Sequence, residues 1–266
     1  MPMSYLSPYL SKKPPPPIPP SINEENESRF TGSFYKSLKE SVDTERKYIQ
    51  DLELLLQYYE LIVAEFKADP SERLVDPIPE GLTKTKIKTF FHHVPSLLSF
   101  HQEHFPEFQQ VTSEPKLISQ VLLKKKNKIL RLYGDFIINM QSNIDTLQEF
   151  EDYFDELREK AEFEQRLNSV FITPWFRITR YPLLLKTMIK AAEKSTDKID
   201  KAMIKDVLAK TEEITGYINK VAEAGAIKKL PVRYYATFIL GAKIQTFFIR
   251  LISVGELWDF WSKVEM

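Results

Sequence analysis

No cysteine occurs among the 266 residues. That excludes disulfides, a thiolate nucleophile and any cysteine-ligated metal, and it suits a reducing cytosol. Net charge is missing too, since 37 lysines and arginines balance 37 aspartates and glutamates. A balanced chain does not wrap nucleic acid or lie flat on anionic lipid by bulk electrostatics. Glycine is scarce, with 7 residues, and none stands in a phosphate-cradling loop or a nucleophile elbow; HExxH is absent as well. The opening Met1-Pro2-Met3-Ser4-Tyr5-Leu6 lacks a basic stretch followed by an apolar run, so it does not read as a secretory leader. A cytoplasmic protein is expected, with membrane contact no more than peripheral recruitment.

What remains is rich in helix formers. Leu, Lys, Glu and Ile are abundant, and hydrophobic residues reach 43%, enough for a sizeable core. An all-α chain is the expectation. Residues 1–30 form a polar leader holding eight of the 17 prolines in its first 20 positions. Such a segment reads as disordered or polyproline II. Within it, Lys13, Pro16 and Pro19 fit a basic-x-x-P-x-x-P pattern, which makes an SH3-domain protein a candidate partner; a stiff linker is the other reading.

Periodicity begins at residue 34. Tyr35, Leu38, Val42, Ile49, Leu52, Leu56, Tyr59, Val63 and Phe66 follow alternating steps of three and four, interrupted by Glu45. This predicts one long helix packed along its length and stopped by Ala68-Asp69-Pro70-Ser71. Helical patterns return at 84–108, with a new start near Pro95, then at 114–140, 143–158, 162–192 and 200–224. The tail from 225 changes character. Tyr234 to Val254 is apolar but carries Lys243, Gln245 and Arg250. A charge at a bilayer centre costs about 2.5–3.5 kcal/mol on the mildest scale, so a docked or interfacial segment is expected rather than a span. Leu251 to Trp258 resembles the start of a β-strand.

Few residues are arranged for covalent catalysis. His101 and His104 stand three apart and could share a metal, but spacing supplies no third ligand. No cofactor and no metal site are expected. The informative positions are elsewhere. Glu40 lies two residues past a seam position and faces solvent, as an ordinary surface acid would. Glu45 falls on the seam, where a carboxylate needs a partner. The stretch Ile172 to Lys186 holds Pro174 and Pro182 and is apolar on nearly every side. At about 100° per residue, Phe171, Pro174, Ile178, Tyr181, Leu185, Met188, Ile189 and Ala192 share a core arc. Arg180 falls nearly opposite, flanked by Ile172, Phe176 and Leu183. That face is either an interface centre or a second buried side, and the wheel does not choose.

These residues resemble a known family. Thr173-Pro174-Trp175-Phe176-Arg177-Ile178-Thr179-Arg180-Tyr181-Pro182-Leu183-Leu184-Leu185-Lys186 is similar to the third conserved region of Dbl-homology (DH) domains, the guanine nucleotide exchange factors of Rho-family GTPases. Glu40-Ser41-Val42-Asp43-Thr44-Glu45-Arg46-Lys47-Tyr48-Ile49-Gln50-Asp51-Leu52 resembles the first region. Phe100-His101-Gln102-Glu103-His104-Phe105 and Leu132-Tyr133-Gly134-Asp135-Phe136 echo the middle helices. The resemblance covers about 34–224 and implies an elongated all-α helical bundle, a DH domain over 31–224 between the leader and the tail 225–266. The strand-like segment resembles the opening of a pleckstrin-homology domain, with too few residues left to complete one.

By resemblance, Glu40 engages switch I of a Rho-family small GTPase, while Arg180 and Asn219 engage switch II. Ile172 sits where the family tunes partner choice. Thr44, Phe176, Arg177 and Leu183 complete the expected GTPase-binding set. The implied activity is nucleotide exchange without covalent chemistry; an exchange-inactive scaffold or GTPase-binding module with the same fold is the alternative. Phe176 stands where the family has glutamine, and Arg180 where it has lysine. Either departure would narrow partner choice or weaken exchange.

Overall fold

The computed structural model describes residues 32–195 and 199–227. The proline-rich leader with Lys13, Pro16 and Pro19, and the tail from 228 with its strand-like Leu251 to Trp258, lie outside the described residues. Among those described, ten α-helices and two short 3-10 turns occur, and no strand. No described helix is long and apolar enough to cross a membrane.

The first helix, α1 (Gly32–Glu65), is the axis of the fold. It packs against α2 (Lys84–Phe91), α3 (Val94–Gln109), α8 (Leu167–Phe171) and α9 (Thr173–Lys194). Between α3 and α8 come α4 (Leu117–Leu123), α5 (Lys126–Ile137), α6 (Met140–Glu149) and α7 (Glu151–Lys160). The last is α10 (Lys201–Ile227). Local chemistry explains several boundaries. Pro70 ends α1. Thr83 caps α2 by accepting from the Lys86 N–H at 3.1 Å. Pro95 occupies the first turn of α3, where its missing N–H is harmless. The 114–140 pattern breaks at Lys124-Lys125, between the end of α4 and the start of α5. The 162–192 pattern starts late, because Glu162 takes φ +57° past the end of α7.

The seam of α1 holds at Leu38, Val42, Glu45, Ile49 and Leu52, all buried. At the start, Phe34 rather than Tyr35 is enclosed. Beyond Leu52 the buried stripe shifts by one residue, to Leu55, Tyr58, Ile62 and Glu65. Leu56, Tyr59 and Phe66 are only half-buried against it. The reason is a change of neighbours. Residues 163–165 wrap this half: the Tyr58 ring lies 4.7 Å from that of Phe163, and its hydroxyl donates to Gln165 O at 2.6 Å. Loop 66–83 closes it from another side, where the buried Glu65 carboxylate accepts from Leu74 N at 3.2 Å and Val75 N at 3.1 Å.

In α9 the predicted core arc is buried throughout, from Pro174 through Ile178, Tyr181, Leu185, Met188 and Ile189 to Ala192. Its two prolines are accommodated differently. Pro174 sits in the first turn. Pro182 lies inside and leaves Ile178 O without its helical donor. The Thr215 hydroxyl of α10 reaches that carbonyl at 3.4 Å, sharing its proton with Thr211 O at 3.0 Å. With Lys186 and Glu212 paired at 2.7 Å, this tie sets α10 antiparallel to α9.

Candidate functional site

Beneath the contact of α1 with α9 lies a buried polar cluster. Glu45, on the seam of α1, receives Arg177 Nη2 of α9 in a short ion pair. Tyr181 donates to the same oxygen at 2.9 Å, and His101 Nδ1 of α3 donates to the other at 2.6 Å. His101 Nε2 lies 2.9 Å from the Tyr133 hydroxyl, itself 3.2 Å from that of Tyr48. Burial alone would raise the Glu45 carboxyl. The Arg177 charge, then His101 and the donors around it, outweigh that and hold it at about 2. Burial opposes the Arg177 charge as well, but Glu45 raises its pKa above the usual guanidinium range. The pair meets the need for a partner that the seam position of Glu45 created.

Arg177 therefore occupies the interior rather than the outer face of α9. Its Nη1 donates to the Thr44 hydroxyl at 3.0 Å, and Thr44 donates back to Glu40 O at 2.8 Å. The wheel carries this signal in part, because at about 100° per residue Arg177 falls at the edge of the core arc, roughly 20° beyond Met188. A cation there requires a carboxylate, and Glu45 is the one the seam presents.

One turn outward the chemistry changes. Glu40 and Arg180 are about half exposed and face each other at 3.6 Å. They border an open groove floored and walled by Phe176, Thr179, Leu183, Leu184 and Thr187. Phe176 is 51% exposed and Leu183 61%, so the outer face of α9 is not a second core side. That decides between the two readings the wheel left open. Tyr217 of α10 is a further large exposed hydrophobic, at 52%. Sequence reading missed Thr179, Thr187 and Tyr217. Extending the Phe176–Leu183 stripe by one more turn reaches Thr187.

The other expected residues are dispersed. Ile172 is half-buried at the junction of α8 and α9, and Asn219 is exposed on α10. His101 and His104 do not converge: His104 Nδ1 bonds Phe100 O, while His101 faces Glu45. No group of three metal-ligating side chains occurs among the described residues.

Comparison with known proteins gives a consistent picture. The RhoGEF domain family matches residues 37–219. The mouse (Mus musculus) protein "Rho guanine nucleotide exchange factor 25" is 30% identical over 189 residues, 69% of this chain and 29% of that protein. Human (Homo sapiens) "Proto-oncogene DBL" is 25% identical over 201 residues, 71% of this chain and 21% of that protein. The chain thus spans under a third of the length of these relatives. Among solved structures, the DH/PH domains of PDZ-RhoGEF in complex with activated RhoA share the fold at TM-score 0.59 and 17% identity, covering 77% of this chain and 59% of that one. The Vav1 exchange factor does so at TM-score 0.58 and 20% identity, covering 79% and 53%.

Proposed function

The chain belongs to the RhoGEF domain family, and from that membership we propose that it stimulates GDP release from a Rho-family small GTPase through the groove between Glu40 and Arg180. The observation that carries the reading is the meeting of these two residues, from helices far apart in sequence, beside exposed Phe176 and Leu183. Opposite charges beside uncovered apolar surface are what a protein interface centre requires.

Exchange needs no bond-making. The factor binds the nucleotide-free GTPase better than the loaded form and shifts the population toward release. Glu40 and Arg180 neutralise each other in the free protein. An exposed pair of this kind contributes no more than about 0–1 kcal/mol. On docking it opens at little cost, Glu40 taking a partner in switch I and Arg180 one in switch II. Phe176, Leu183, Thr44, Ile172 and Asn219 shape the surface around them. Arg177 belongs to the set as a positioning residue, acting through Thr44 and the backbone of Glu40. Phe176 offers a ring where relatives of the signature have an amide, which favours a partner with an apolar spot opposite.

The test is release of labelled GDP from a panel of Rho-family GTPases. Glu40→Ala and Arg180→Ala, both folded, are expected to slow stimulated release by tenfold or more, corresponding to about 1.4 kcal/mol. Unchanged rates in both variants would refute the assignment. A GTPase that binds without faster release would favour the scaffold reading instead.

A further inference from the structure

A second recess lies far from the exchange groove. It forms between the C-terminal end of α1 and the N-terminal half of α2, lined by Tyr59, Val63, Phe66, Lys67, Lys84, Ile87 and Lys88. Ile87 is the buried floor, and Tyr59, Val63 and Phe66 are half-buried walls. Lys67, Lys84 and Lys88 stand exposed around the rim, and no carboxylate lines it. Lys86, between the last two in sequence, turns the other way: its ammonium lies 3.4 Å from Glu149 and over the Phe150 ring. Lys67, Lys84 and Lys88 have no carboxylate within ion-pair distance among the described residues. The fold thus gathers three uncompensated cations around an apolar hollow of about one side chain's size, in a chain whose net charge is zero.

We propose that this recess docks an acidic peptide segment of a partner protein, one aromatic or aliphatic side chain filling the hollow and flanking carboxylates meeting Lys67, Lys84 and Lys88. Apolar burial supplies an anchor, and charge complementarity sets orientation and partner choice. A single recess with three cations suits a short acidic motif better than a membrane, which rewards a broad basic face. From Glu40 to Tyr59, α1 rises roughly 28 Å at about 1.5 Å per residue. A segment bound here leaves the exchange groove open, so the site would recruit a partner without displacing a GTPase.

The probe is the blocked pentapeptide Asp-Glu-Phe-Glu-Asp, titrated into the isotope-labelled chain and followed by amide chemical shifts. Shifts are expected at residues around 59–67 and 84–88, weakened roughly tenfold by Lys84→Glu with Lys88→Glu and lost when the peptide phenylalanine becomes alanine. Val63→Gln, which fills the hollow with an amide, should weaken binding without charge reversal. Unchanged circular dichroism certifies that each variant is folded. The proposal falls if the peptide causes no shifts there at millimolar concentration, or if the lysine variants bind it equally well. It also falls if phosphatidylserine vesicles bind through these lysines while the peptide does not. Because the readout is peptide binding, it stands apart from the exchange assay, and peptide addition should leave GDP release unchanged.

Discussion

Replacing Arg177 by methionine is the sharpest perturbation this structure offers. The side chains of Glu45 and Arg177 are 4% and 3% exposed, so neither charge can turn to water when its partner is lost. Breaking a buried pair by removing one member costs about 3–5 kcal/mol, because the survivor stays desolvated. The titration of Glu45 points the same way: burial raises its carboxyl, yet Arg177, His101 and Tyr181 together hold it at about 2, below an ordinary 4.5. Against a domain stability of about 5–15 kcal/mol, Arg177→Met should fold but unfold at much lower urea. The double variant Glu45→Leu with Arg177→Met removes both charges and should recover at least half of the loss, although His101, Tyr181 and Thr44 lose partners. Urea unfolding followed by circular dichroism measures all three. A single-variant loss under about 1 kcal/mol would refute the reasoning, as would a double variant no more stable than Arg177→Met. The pH dependence has a definite sign. The folded pKa of Glu45 lies below the unfolded one, so its stabilisation is complete above about 4.5 and is lost as pH falls toward about 2. Glu45→Gln should flatten that acid limb.

Four further outcomes follow from the same geometry. Glu40→Ala and Arg180→Ala should each change unfolding free energy by less than about 1 kcal/mol, since their pair is half exposed, so any exchange defect reports docking rather than folding. Phe176→Gln should leave stability nearly unchanged while altering relative rates across a GTPase panel, because its ring is largely uncovered. By contrast Phe171→Ala, at a fully enclosed ring, should cost about 3–5 kcal/mol in urea unfolding. Thr215→Val should cost about 0.5–1.5 kcal/mol by removing the donor that serves Ile178 O; no loss would mean that water serves that carbonyl equally well.

Much of this protein was legible in one dimension. Helix order, the stop before Pro70, the start at Pro95, the core arc of α9 and the non-core side of Arg180 all follow from local periodicity and proline chemistry, which act within a few residues. The seam of α1 was legible from Leu38 to Leu52 and slipped at Leu55, because which face is buried depends on the neighbours present, and residues 163–165 are remote in sequence. The exposed groove could be proposed but not chosen, since an apolar helix face looks the same whether a bundle or a partner covers it.

Sequence alone determined an all-α chain of one recognisable family, with a carboxylate on a seam and arginines in an apolar helix, because composition and spacing are properties of the chain itself. Only the tertiary structure decided which arginine answers which acid. Arg177 goes inside to Glu45, Arg180 stays out beside Glu40, and the carbonyl freed by Pro182 finds its donor on another helix. Those pairings depend on the register of α1, α9 and α10, and packing sets that register through contacts between residues distant along the chain.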